Sequence, residues 1–154
     1  MGKRTLVATL GLVLAFVEFC LPSQLHADPG GTNRPFRGDA NGEVTGISSS
    51  GALIVESTGT ATHLGKFTRT ESVFVDGFEI AGMVVFTAAN GDQLWADFTG
   101  AFTSPTTAEG TYTFIGGTGR FAAAAGTARF GAITTSTPDG ITHLAITFDG
   151  TIDY

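Results

Sequence analysis

One stretch gathers most of the side chains that could do chemistry. In His63-Leu64-Gly65-Lys66-Phe67-Thr68-Arg69-Thr70-Glu71-Ser72-Val73, the residues His63, Arg69 and Glu71 stand at even spacings from one another. Side chains alternate between the two faces of an extended strand, so these three share a face with Phe67, Val73 and Val75. If that face is the buried one, Arg69 and Glu71 form an ion pair inside an apolar interior. An unpaired buried charge costs several kcal/mol, so such residues must be paired and hydrogen-bonded. The couple would then anchor a small ligand, or steer a reactive intermediate in a cyclase- or isomerase-type reaction. A bulge at Gly65 would reverse this, turning Leu64 and Phe74 inward and leaving Arg69 and Glu71 as an exposed pair. The rarity of buried long charged side chains favours that second arrangement. Tyr112, with Phe114 beside it, is placed at a barrel mouth, with core packing the default role of both. The candidate ligand-binding set is therefore His63, Arg69, Glu71 and Tyr112, and no catalytic residue is assigned.

Other chemistries lack their parts. His26, His63 and His143 are the only histidines and Cys20 the only cysteine, with no zinc-type spacing among them, so no metal and no cofactor is expected. Asp39-Ala40-Asn41-Gly42-Glu43 lacks the length and closing glutamate of a calcium loop and reads as a turn. Gly46-Ile47-Ser48-Ser49-Ser50-Gly51 misses the spacing of a nucleophile elbow, which argues against a hydrolase. The formal charge is −6, with the basic residues scattered, so neither nucleic acid nor an anionic membrane surface is an expected partner.

The elements that must position these residues are strands. Met1-Gly2-Lys3-Arg4, an apolar run from Leu6 to Phe19 and Leu25-His26-Ala27 together read as a secretory signal peptide over 1–27. Residues 28–35 read as a flexible linker and 36–154 as one domain of a secreted protein, periplasmic or extracellular, without a disulfide once Cys20 is removed. Eight runs rich in Thr, Val, Ile and Phe follow: 36–47, 51–57, 63–75, 78–88, 92–103, 109–115, 127–135 and 141–152. Turn residues separate them, among them Asp76-Gly77, Asn90-Gly91 (read as a two-residue hairpin turn) and Pro138-Asp139-Gly140. Leu94, Ala96, Phe98 and Phe102 share one face, as do Leu144, Ile146, Phe148 and Ile152, and Phe78, Ile80, Val84 and Phe86. Period-two alternation over successive hairpins predicts an all-β fold, an eight-stranded antiparallel barrel, with a two-sheet sandwich as the alternative. Trp95 falls on the outer face and suggests either a subunit contact or the filling of a local groove.

Gly116-Gly117-Thr118-Gly119-Arg120-Phe121 resembles a phosphate-cradling loop only superficially, because no helix and no βαβ unit follows it. It reads instead as a structural corner between strands. Ile115 to Phe121, followed by an Ala-rich stretch and Gly126, resembles the turn motif of the allene oxide cyclase and dirigent barrels. Ala61 to Thr68 and Thr87 to Asp92 are in addition similar to a group of small exported bacterial proteins of unassigned function. In dirigent proteins an Ala-Arg-Gly follows the turn, whereas this chain has Ala124-Ala125-Gly126 and lacks the arginine. The resemblance implies an eight-stranded barrel and a tendency to form homo-oligomers, trimers or dimers. The resulting reading is an exported barrel, non-catalytic, that binds or orients a small apolar molecule. An allene oxide cyclase-type enzyme and a self-associating extracellular protein are the alternatives.

Overall fold

The computed structural model describes residues 31–154; the expected signal segment, Cys20 and residues 28–30 lie outside the described residues. Eight strands run in order: β1 (Arg34–Ile47), β2 (Leu53–Ala61), β3 (Gly65–Asp76), β4 (Glu79–Ala88), β5 (Gln93–Ser104), β6 (Thr107–Gly117), β7 (Ala125–Ser136) and β8 (Thr142–Asp153). A 3-10 turn, Gly119–Phe121, lies between β6 and β7. Each strand pairs antiparallel with the next, and β8 returns to β1 from Arg34↔Ile152 to Glu43↔His143. That last pairing closes the sheet into a barrel and rules out the sandwich, whose two sheets would each keep free edges.

Three sequence expectations need correction. β1 starts at Arg34, inside the expected linker, and it carries Asp39 to Glu43 in its middle rather than in a turn. β2 extends through Thr58-Gly59-Thr60-Ala61, which the sequence pattern left out. Phe78 does not belong to the inward row of β4: Asp76 pairs with Glu79, so Gly77 and Phe78 form the loop, and Phe78 is 76% exposed.

Three hairpin loops share one construction. In Ser49-Ser50-Gly51, Ala89-Asn90-Gly91 and Pro138-Asp139-Gly140, the glycine N–H donates to the carbonyl of the residue before the loop. That residue (Ser48, Ala88 or Thr137) in turn donates its N–H to the carbonyl of the residue after the loop. The three glycines have φ of 86–88°. This is the three-residue hairpin, a type I turn closed by one left-handed residue, so Asn90-Gly91 is not the two-residue turn its composition suggests.

The chain holds 22 glycines and 13 phenylalanines, and the barrel pairs several of them. Gly38 lies opposite Phe148, Gly59 opposite Phe67, Gly82 opposite Phe98, and Gly110 opposite Phe130, each as direct cross-strand partners. A Cβ at any of these glycines would come within 2.5–2.9 Å of the facing ring. An eight-stranded barrel has just enough interior for its side chains, so a ring fits where its neighbour has none.

Candidate functional site

The interior divides into a filled end and an open end. At the filled end Phe36 stacks on Phe148 at 5.2 Å and meets Phe114 edge-on at 4.8 Å, while Phe67 meets Phe86 at 5.5 Å. Leu94, Phe121 and Ile152, all fully buried, finish the plug.

The glycine-rich motif belongs to this end and is a structural corner. Thr118 donates its N–H to Gln93 O (2.8 Å), and its hydroxyl receives the Gln93 N–H (2.9 Å). Gly117 is pressed so closely against β5 that a Cβ would lie 1.9 Å from Gln93 O. Gly119, at φ 56°, has its Cα beside the Asp92 carboxylate, which also faces the Arg120 guanidinium at 3.7 Å. Arg120 then donates to the His63 carbonyl at 2.7 Å, tying the β2–β3 turn to the corner. Phe121 drops its ring into the plug.

At the other end an open cavity of about 280 Å³ descends from the loops that join β1 to β2, β3 to β4, β5 to β6 and β7 to β8. Val44, Val55, Val73, Ile80, Phe102 and Leu144 contribute its apolar wall; Thr134, Ser136 and Thr142 bring hydroxyls. Arg69, Glu71 and Tyr112 lie deepest, on the aromatic plug, with the Arg69 guanidinium carbon 5.6 Å from the Phe86 ring centre and 5.4 Å from that of Tyr112.

Those three groups form one network. Arg69 is 2% exposed and Glu71 5% exposed, so the exposed-pair arrangement favoured by composition is not the one adopted. β3 holds a regular alternation of Phe67, Arg69 and Glu71 inward, without a bulge between them, and Phe74 faces out. Arg69 Nη2 donates both to Glu71 Oε2 and to the Tyr112 hydroxyl, the latter at 2.7 Å. Burial opposes the charge on Arg69, but Tyr112 and Glu71 beside it more than reverse this, and its pKa lies above the ordinary value. Burial pushes the Tyr112 phenol well above its ordinary range, against the pull of Arg69, so the hydroxyl stays protonated. Arg69 Nε and Nη1 and the hydroxyl of Ser57, the cross-strand partner of Arg69, are sealed from solvent and have no hydrogen-bond partner among the described residues.

The other sequence candidates lie elsewhere. His63 shares the parity of Arg69 but not its strand: it sits in the turn before β3 at φ 67°, with Nε2 3.0 Å from Pro35 O and its ring 5.4 Å from Tyr154. It is at the filled end and does not join the network. Tyr112 forms part of the cavity floor rather than a mouth, and Phe114 is part of the plug. Trp95 faces outward at 37% exposure, its indole N–H donating to Gln93 Oε1 at 3.3 Å. Ser57 was not singled out by sequence; its place opposite Arg69 follows only from the β2–β3 register.

No protein-family model matches the chain, and no curated protein matches it. Among solved structures the chain is similar to a pterocarpan synthase dirigent protein, with 16% identity over 80% of this chain and 94% of that chain, at a TM-score of 0.42.

Proposed function

We propose that the protein binds one small apolar molecule in the open half of the barrel and holds it over Arg69, Glu71 and Tyr112 without catalysing a reaction. The observation that carries this reading is an apolar-walled cavity of about 280 Å³ with a single charged network at its base. A dry apolar cavity of ~150 Å³ suffices for benzene, so the space here suits a molecule of one or two rings. Glu71 is charge-balanced by Arg69 and Tyr112 keeps its own proton, which favours holding a ligand over moving protons. The network is suited to positioning. Export through the 1–27 segment belongs to the proposal, and mass spectrometry of the secreted chain should give an N-terminus at Asp28.

The test is methyl-resolved NMR with two-ring hydrocarbons such as indane. Shifts should concentrate on Val55, Val73 and Ile146, and Val73→Phe, which fills the cavity, should abolish them. Unmoved methyl signals up to the solubility limit of such compounds would overturn the reading.

A further inference from the structure

The network at the cavity base has a front and a back, and this bears on the ligand's chemistry. The guanidinium of Arg69 has five N–H donors. Nη2 is engaged by Glu71 and Tyr112, whereas Nε and Nη1, like the Ser57 hydroxyl, are closed off from solvent and have no partner among the described residues. Arg69 therefore offers the cavity none of its unspent donors. Glu71 is different. Its Oε2 is held by Arg69, while Oε1 accepts no bond among the described residues and is not among the sealed polar atoms. Glu71 lines the cavity, so Oε1 is the open side of its carboxylate. The arginine stands behind and fixes the carboxylate, whose second oxygen looks towards the ligand space.

Resting on the binding function proposed above, we infer that the cavity selects a neutral ring-sized alcohol, whose hydroxyl donates to Glu71 Oε1 while its hydrocarbon frame fills the apolar wall. Four features exclude the neighbouring chemistries. A ketone would aim lone pairs at a carboxylate oxygen. A carboxylate ligand would add a second negative charge beside Glu71 and would find no free guanidinium edge. An ammonium ligand would place a net positive charge in an apolar chamber, because Arg69 already balances Glu71. A plain hydrocarbon would leave Oε1 without a partner once water is displaced.

The experiment compares molecules of one bicyclic frame on the full mature chain, by NMR titration of the cavity methyl groups: indane, 1-indanol, 1-indanone, 1-aminoindane and indane-1-carboxylate. The alcohol should bind about tenfold to a hundredfold more tightly than indane, the range for a hydrogen bond to a charged acceptor. The ketone, amine and carboxylate should bind no better than indane. In the double variant Arg69→Met/Glu71→Leu, which leaves no charge behind, alcohol and hydrocarbon should bind equally. Ketone binding as tight as the alcohol, or an alcohol preference that survives in the double variant, overturns this inference and leaves cavity binding standing. Failure of the whole series, indane included, overturns both.

Discussion

Replacing Arg69 with methionine removes the guanidinium and keeps most of the side-chain volume. Glu71, 5% exposed, then has no partner for its negative charge. Breaking a buried ion pair from one side typically costs about 3–5 kcal/mol, because the remaining charge stays desolvated. The cavity lets water approach Oε1, which sets the expected loss for Arg69→Met near the lower figure, about 3 kcal/mol at pH 7.

The reciprocal variant should lose more. Glu71→Leu leaves a buried guanidinium that cannot lose its proton in any accessible pH range, with three of its donors already unpartnered. With a charge that cannot be neutralised, it should cost more than Arg69→Met. The double variant Arg69→Met/Glu71→Leu leaves no charge, and it should recover most of the loss, since well-packed apolar replacements of a buried pair are neutral or stabilising by ~1–4 kcal/mol. Urea unfolding of the four proteins at pH 7 reads all of these differences. A loss below about 1 kcal/mol for Arg69→Met, the level of exposed pairs, would refute the buried network.

Further outcomes follow from other parts of the barrel. Tyr112→Phe keeps the ring and removes an acceptor from a buried charged donor, so it should cost about 1–3 kcal/mol. Because the folded-state phenol of Tyr112 titrates above its unfolded value, its stabilisation is complete below pH ~10 and is lost as pH rises beyond. Absorbance at alkaline pH should therefore show Tyr112 ionising only with unfolding. Gly117→Ala drives a Cβ onto the backbone of β5 and should cost roughly 1–3 kcal/mol or more, whereas Gly46→Ala, whose Cβ would meet nothing within 4 Å, should stay within about 0.5 kcal/mol in urea unfolding. Phe121→Ala, emptying a fully buried ring site in the plug, should cost about 3–5 kcal/mol in the same assay, without altering ligand binding at the far end.

Much of the barrel was legible because its strands obey one local rule. Leu94, Ala96 and Phe98, or Ile146, Phe148 and Ile152, announce their face by period two, and all are buried. The misreadings arise where a nonlocal fact overrides that rule. Parity alone joins His63 to Arg69, but His63 and Gly65 both take positive φ, so the chain turns there and the strand begins only at Gly65. Phe78 looks inward by parity with Ile80, yet the pairing of Asp76 with Glu79 places it in the loop. For Arg69 and Glu71 the pattern was correct and composition misled. Burial is acceptable there because Tyr112, 43 residues further along than Arg69, brings a hydroxyl to the same guanidinium nitrogen. No single stretch of sequence displays that meeting.

The position of the cavity follows from side-chain size along the strands. The large rings Phe36, Phe67, Phe86, Phe114 and Phe148 come from the end of the barrel where the glycine corner closes it. Towards the opposite loops many inward residues are small, among them Val44, Val55, Val73, Ala108, Ala132 and Thr134, and they leave space beside the rings of Phe98, Phe102 and Phe130. Of the rings that face a glycine, Phe67 and Phe148 lie on the filled side, whereas Phe98 and Phe130 line the cavity beside Tyr112. A barrel of eight strands holds either its own side chains or one small guest. This chain fills one half with its own rings and leaves a cavity in the other, with the Arg69–Glu71–Tyr112 network at the boundary, where a charged pair rests on aromatic faces. Filling the cavity away from the network should separate the two: a ring introduced at Ala132, whose strand partners are Ala108 and Ile146, would displace ligand, and the stability of Arg69→Met relative to its parent should be unchanged by it.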